Sequence, residues 1–312
     1  MLTDYPPVPD SQPGCSHTLP RVDAINVIVR RGEVVEATHV VHAVAVRDGA
    51  VVAEAGDPDR AAYLRSSAKP LQALPLVRAR GDLTTEEIAI ASASHLAAPA
   101  QLAAVRSLLA KAPAGEDELE CGPEPTPLQH NCSGKHAGML ALCRAHGWAS
   151  GGYRLASHPV QHACLAEVAT AADVAAEEIP LAVDGCGVVT FALPLERMAL
   201  AFSRLESLEG GDRVAAAMRA HPDLIRGPMA ADTLLMRELE GWTAKGGAEG
   251  LLCAAGTDGL GIALKVEDGS MRAMRPALAE LLRRLGIETG ELGVEPLENS
   301  RGDLVGEVVA GP

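Results

Sequence analysis

Lysine is scarce in this chain: five lysines stand against 22 arginines. Where arginine carries plain surface charge, a lysine in a polar motif points to what an ammonium can do and a guanidinium cannot, which is to give up its proton. The first such place is Ser66-Ser67-Ala68-Lys69-Pro70. A proline in a helix interior clashes with the carbonyl four residues back, so Pro70 belongs in a first turn and Ser66 at or just before its entrance. Ser66 and Lys69 then share a face. A serine hydroxyl is a poor nucleophile until a base takes its proton, and a lysine kept neutral by burial and by neighbouring cations can be that base. The same Ser66 also fits a plain helix cap.

The second place is His130-Asn131-Cys132-Ser133-Gly134-Lys135-His136, with Asp184-Gly185-Cys186-Gly187 further along. Two thiolates suit zinc, and a third ligand from Lys135, His130 or His136 with a water would complete a tetrahedron. The spacing is not that of a zinc finger, and two cysteines also fit as buried small apolar residues. The third place is Lys265 in Gly-Ile-Ala-Leu-Lys-Val, a charge within an apolar strand. Alternation sets Ile262 and Leu264 on one face and Ala263 with Lys265 on the other, where a covered lysine needs a partner. Lys111 and Lys245 are assigned to solvent.

Strands and helices must bring these places together. Arg47-Asp48-Gly49 between the β-branched runs 34–46 and 50–55 predicts a hairpin. A first strand precedes it over 22–30. Leu71, Leu74, Leu76 and Val77 predict a helix over 70–80, and Thr84 with Glu86 and Glu87 opens another. Helices dominate the middle of the chain. Two further strands, 250–255 and 261–266, flank a glycine-rich turn; a helix over 276–285 and a last strand over 304–310 follow. Strands from both chain ends with helices between them predict an α+β fold: one antiparallel sheet built from the two ends and packed by helices.

Composition narrows the function classes. A net charge of −14 repels nucleic acid and acidic membrane surfaces. No run of 18 apolar residues is present, so no membrane span is expected. Seven scattered cysteines, an odd number, point to reduced thiols in the cytoplasm. Residues 1–21 are rich in proline, carry Asp4 and Asp10, and are expected to form a mobile tail rather than a signal peptide. Residues 22–312 are then one catalytic domain with a central helical portion.

Taken together, these places resemble one family, the bacterial L-asparaginases of the Rhizobium etli type (asparaginase II, class 3). The resemblance is carried, in family order, by Arg65 to Pro70, Ala93-Ser94-His95, His130 to Met139, Val183 to Val188, Lys245 to Gly250 and Gly261 to Lys265. It implies a fold similar to serine β-lactamases and penicillin-binding proteins, a homodimer, and hydrolysis of L-asparagine to aspartate and ammonia. Carried onto this chain, it implies catalytic pairs Ser66 with Lys69 and Ser94 with Lys265, zinc ligands Cys132, Lys135 and Cys186, and substrate contacts from Arg65, His136 and Asp184. Ser66 is the nucleophile in this reading. Two segments depart from the family pattern. Leu96-Ala97-Ala98 lacks an expected glutamate, and Pro228-Met229-Ala230-Ala231 lacks an expected arginine. Another small amide, a glutamine, lactam or peptide, therefore stands as an alternative substrate, and a non-catalytic zinc-binding protein as an alternative class.

Overall fold

The computed structural model describes residues 22–123, 125–256 and 258–311. The expected tail over 1–21, with Cys15, lies outside the described residues. Eight strands make the main sheet: β1 (Ile25–Arg31), β2 (Val34–Arg47), β3 (Ala50–Ala55), β7 (Thr243–Gly246), β8 (Leu251–Ala255), β9 (Gly261–Val266), β10 (Val294–Glu298) and β11 (Leu304–Ala310). Three short strands, β4 (Ala61–Tyr63), β5 (Leu181–Val183) and β6 (Val189–Pro194), form a second sheet in the order β4-β6-β5. The main sheet runs β10-β11-β1-β2-β9-β8-β7, with β3 on the far half of β2, and every pairing is antiparallel. As expected, the sheet joins strands from both ends of the chain. The hairpin turns where the sequence placed it, with Asp48 and Gly49 both at positive φ (52° and 78°), as a two-residue turn matched to strand twist requires.

The helical expectation over 70–80 needs one correction. The segment is a 3-10 turn, Arg65–Ala68, followed by two short helices, Lys69–Gln72 and Leu74–Ala79. Pro70 and Pro75 each stand in a first turn, so each restarts the helix. The helix Thr85–Ala91 opens with a capping box: Thr84 accepts from the Glu87 amide while the Glu87 carboxylate accepts from the Thr84 amide. That helix points its last residues at Ser92, Ala93 and Ser94.

The core is aliphatic. Val27, Val41, Leu71, Leu108, Leu140, Leu252, Ile262 and Leu281 are all fully buried. The helix Leu195–Ser203 packs on β9, β2 and β8, and the helix Met274–Arg284 packs on β1, β9 and β11. The six described cysteines, Cys121, Cys132, Cys143, Cys164, Cys186 and Cys253, are buried and reduced. No helix among the described residues is long and apolar enough to cross a membrane.

Candidate active site

The turn Arg65–Ala68 lies beside the edge strand β7. Ser67, fully buried, donates from its hydroxyl to the Lys245 carbonyl at 2.9 Å, which ties the turn to the strand. The approach is close enough that a Cβ on Gly247 would stand 2.9 Å from the Leu64 carbonyl and 3.0 Å from Ser67 Oγ. Ser66 is partly exposed, and among the described residues its hydroxyl has no partner. Arg65 adopts a left-handed backbone, φ 49°, unusual for a side chain of its size. Its amide donates to Thr190 Oγ1 at 3.0 Å, and its Nε donates to Asp184 Oδ1 at 2.6 Å. Asp184 Oδ1 also takes the Gly185 amide at 2.7 Å, so Arg65 and Asp184 hold each other at the mouth of this region.

Lys69 is fully buried and serves Ser94: its Nζ donates to Ser94 Oγ at 3.0 Å and to the Ala93 carbonyl. Burial lowers its pKa, the positive charge of Lys135 adds to that, and the thiol groups of Cys132 and Cys186 oppose it. Sequence reading had given Ser94 to Lys265. In the structure Lys265 sits on β9 opposite His42 of β2, donates to the Val266 carbonyl, and has Arg60, Glu249, Asp268 and Glu267 as its charged neighbours. It does not join the cluster around Ser94.

Lys245 does, and its assignment to solvent is corrected. It is 0% exposed on β7. Its Nζ donates to the Gly246 carbonyl at 2.6 Å and lies 3.5 Å from Asp232 Oδ2. Asp232, itself 1% exposed, accepts the Gly246 amide at 2.9 Å on the same oxygen and the Thr233 amide at 3.0 Å on the other. Burial pulls the Lys245 pKa down to about 7; Asp232 resists, while Lys69 and Arg226 add to the drop. The scarcity of lysine was a signal for Lys245 as much as for the other three. Lys245 also heads one of the segments that carry the family resemblance.

The cysteine cluster adjoins Lys69. Cys132 caps the helix Ser133–His146 and shares a hydrogen bond with Cys186, which holds the Cys132 thiol well below its usual range and pushes that of Cys186 up. Lys135 Nζ donates to Cys186 Sγ at 3.2 Å. Burial works against the Lys135 charge, but the Cys186 and Cys132 sulfurs and Asp184 outweigh it and raise its pKa. The helix comes this close to the helix Thr85–Ala91 only because residue 134 is glycine; a Cβ there would overlap the Ile90 carbonyl. Among the described residues, no group of three His, Cys, Asp or Glu side chains is arranged to hold a metal.

Two histidines complete the surroundings. His136 is fully buried; its Nδ1 accepts from the Tyr153 hydroxyl at 2.8 Å, which in turn accepts the Glu120 amide at 2.8 Å. That network assigns the His136 proton to Nε2, which is buried without a partner. His95 accepts the Ala97 amide on Nδ1 at 3.1 Å and donates from Nε2 to Ser133 Oγ at 2.7 Å. Burial, with Lys69 nearby, pushes its pKa down to about 4, so it is a neutral brace for the Ser94 loop.

The two departing segments lie side by side. The Ser94 amide donates to the Ile225 carbonyl at 2.7 Å, and Gln101 donates to the Asp223 and Arg226 carbonyls while accepting the Leu96 and Ala98 amides. A Cβ on Gly227 would stand 2.6 Å from Leu96 Cδ1. Leu96 and Met229 are 64% and 63% exposed there, next to the alanines that stand where the family pattern has a glutamate and an arginine.

Fold and site define an α+β protein in which the Ser94 hydroxyl is bonded to a buried amine, Lys69. The chain belongs to the L-asparaginase II family, whose model matches residues 27–310, and so to a family of amidohydrolases. None of the curated proteins matches the chain. Among solved structures it is similar to Mglu in its native form (14% identity, TM-score 0.46, 82% of this chain and 69% of that one). It is likewise similar to Mglu in its glutamate form (14%, 0.48, 83% and 65%). A third is the probable glutaminase from Bacillus subtilis complexed with 6-diazo-5-oxo-L-norleucine (14%, 0.37, 80% and 84%).

Proposed function

We propose that this protein hydrolyses L-asparagine to L-aspartate and ammonia through a serine nucleophile, on a scaffold of the serine β-lactamase and penicillin-binding-protein kind. The observation that carries this reading is the buried Lys69–Ser94 hydrogen bond, three residues along from Ser66 and beside a second buried amine, Lys245. Ser66, whose hydroxyl is free of other bonds, attacks the side-chain amide carbon, and Lys69 on the same face of the turn takes its proton. Ser94, bonded to Lys69, hands that proton to the departing ammonia. Lys245 replaces Lys265 as the second amine: with a pKa of about 7, a large fraction is neutral at physiological pH and able to activate the water that releases the acyl group. Arg65 and Asp184 present opposite charges to the two ends of an amino-acid backbone, and the unpartnered His136 Nε2–H is a neutral donor.

The donor set Cys132, Cys186 and Lys135 fits zinc: two buried sulfurs share one hydrogen bond, and an amine lies 3.2 Å from one of them. These three residues would hold the ion with the amine neutral, and the ion would add fixed positive charge to the wall behind Lys69. The thiolates make it a poor activator of water.

Ammonia release from L-asparagine tests the reading. Ser66→Ala is expected to lower turnover by at least ~10³-fold while zinc content is unchanged; unchanged turnover rejects Ser66 as nucleophile. The exposed Leu96 and Met229 favour a second reading, a bulkier or less polar amide, and the same assay with glutamine and a chromogenic lactam decides between them.

A further inference from the structure

Behind β7 lies a pocket that the reaction above does not use. Side chains alternate along a strand, so Lys245 and Gly246 face opposite sides of β7. On the Gly246 side, where a Cβ would stand 3.3 Å from Asp232 Oδ2 and 4.0 Å from Met274 Cε, there is a cavity of about 160 Å³. Its charged walls are Arg226, Arg272, Arg275, Asp232 and Glu295.

Asp232 is satisfied by backbone amides and Lys245, and Arg272 donates to His39 Nε2 at 3.0 Å. The others are not satisfied. Arg275 is 6% exposed; its Nη2 bonds the Glu291 and Val294 carbonyls at 3.1 and 3.2 Å, but its Nε is buried with no partner. Among the described residues neither the Arg226 guanidinium nor the half-buried Glu295 carboxylate makes a direct ion pair, and Arg275 and Arg272 act on Glu295 only through their charge. The helices Ala231–Glu238 and Met274–Arg284 both begin at this cavity, which adds the positive ends of two dipoles. Charge that is only partly paired at a cavity wall is costly, and a ligand that supplies the missing groups relieves that cost.

We propose that this cavity binds a small α-amino acid, its carboxylate on Arg226 and Arg275 and its ammonium on Glu295. Three arginines against two carboxylates favour an anion, and Glu295, the cavity acid outside any direct ion pair, selects one that also carries an amine. The site stands independently of the amidohydrolase reading, since binding, not turnover, tests it. Met271 and Met274 line the cavity and give it a local reporter. With methyl-labelled methionine in the full chain, and these two resonances assigned by Met271→Leu and Met274→Leu, L-aspartate, succinate and inorganic phosphate are titrated in turn. L-Aspartate is expected to shift both resonances saturably and at least tenfold more tightly than succinate or phosphate. Glu295→Gln should weaken L-aspartate at least tenfold and leave succinate no weaker; Arg226→Gln should weaken both. Glu295 lies on an edge strand, so its variant is expected to fold, which an unchanged methionine spectrum without ligand verifies. The proposal is overturned if neither resonance moves, if phosphate binds as tightly as L-aspartate, or if Glu295→Gln leaves L-aspartate binding intact.

Discussion

Two lysines that look alike in sequence part company in the folded protein. Lys245 is enclosed between Asp232, Gly246 and the turn that carries Ser66, whereas Lys265 shares a half-exposed patch with Arg60 and three carboxylates. Lys245→Ala is accordingly expected to lower kcat by ~10²–10⁴-fold, and Lys265→Ala to change it within about twofold, read as ammonia release. If the neutral amine of Lys245 is the working form, turnover rises with pH through a limb near 7. Asp232 favours the charged amine, so Asp232→Asn should move that limb to lower pH; a limb that stays in place rules Lys245 out as its source. Stability follows the same sign. The folded chain binds fewer protons at Lys245 than the unfolded chain between about 7 and the ordinary lysine value, so this group makes the protein more stable as pH rises across that window. Sequence could single out these lysines by their rarity but could not rank them. Alternation says which face of a strand a side chain takes, not whether that face is covered by a catalytic turn or lies at the rim.

The turn Arg65–Ala68, the strand β7 and the helix Ser133–His146 are each placed by a missing side chain or a single hydroxyl. Gly247→Ala would drive a methyl against Leu64 and Ser67 and push the turn off β7, so activity should fall more than the melting temperature does. Ser67→Ala removes one bond to the buried Lys245 carbonyl, which also faces β8 in the ladder, and should cost about 0.5–1.5 kcal/mol in denaturant unfolding. Elements with strong local signals were legible: the Asp48-Gly49 hairpin, the Thr84–Glu87 capping box, and the apolar strands β8 and β9. Those held by tertiary contact were not. β7 is four residues ending in glycine, β4 and β5 are three residues each, and β10 carries Pro296 between two glutamates; none has a pattern long enough to speak for itself. Pro75 was visible, but its effect on the preceding turn depends on where the previous helix stops. The two segments that depart from the family pattern are each visible too, but it takes Gln101, the Ser94–Ile225 bond and the approach of Gly227 to Leu96 to reveal that they are neighbours.

The architecture as a whole gathers its chemistry at one edge. Cys132, Lys135 and Cys186 come from the helical middle of the chain, Ser66, Lys69 and Ser94 from its first third, and Lys245 from its last third, and Lys69 feels the charge of both cysteines. The main sheet is sewn together from distant parts of the sequence: β11 lies between β1 and β10, with Val308 fully buried. A chain ending after residue 303 would expose the whole edge of β1 and is expected to be insoluble or to lose its cooperative thermal transition, as scattering and calorimetry would register. The same threading sets a timetable for biogenesis. During translation β1 and β2 leave the ribosome long before β9 and β11 exist, so the nascent polypeptide must carry an apolar hairpin with two unsatisfied flanks until synthesis is nearly complete, and chaperone dependence should peak in that interval.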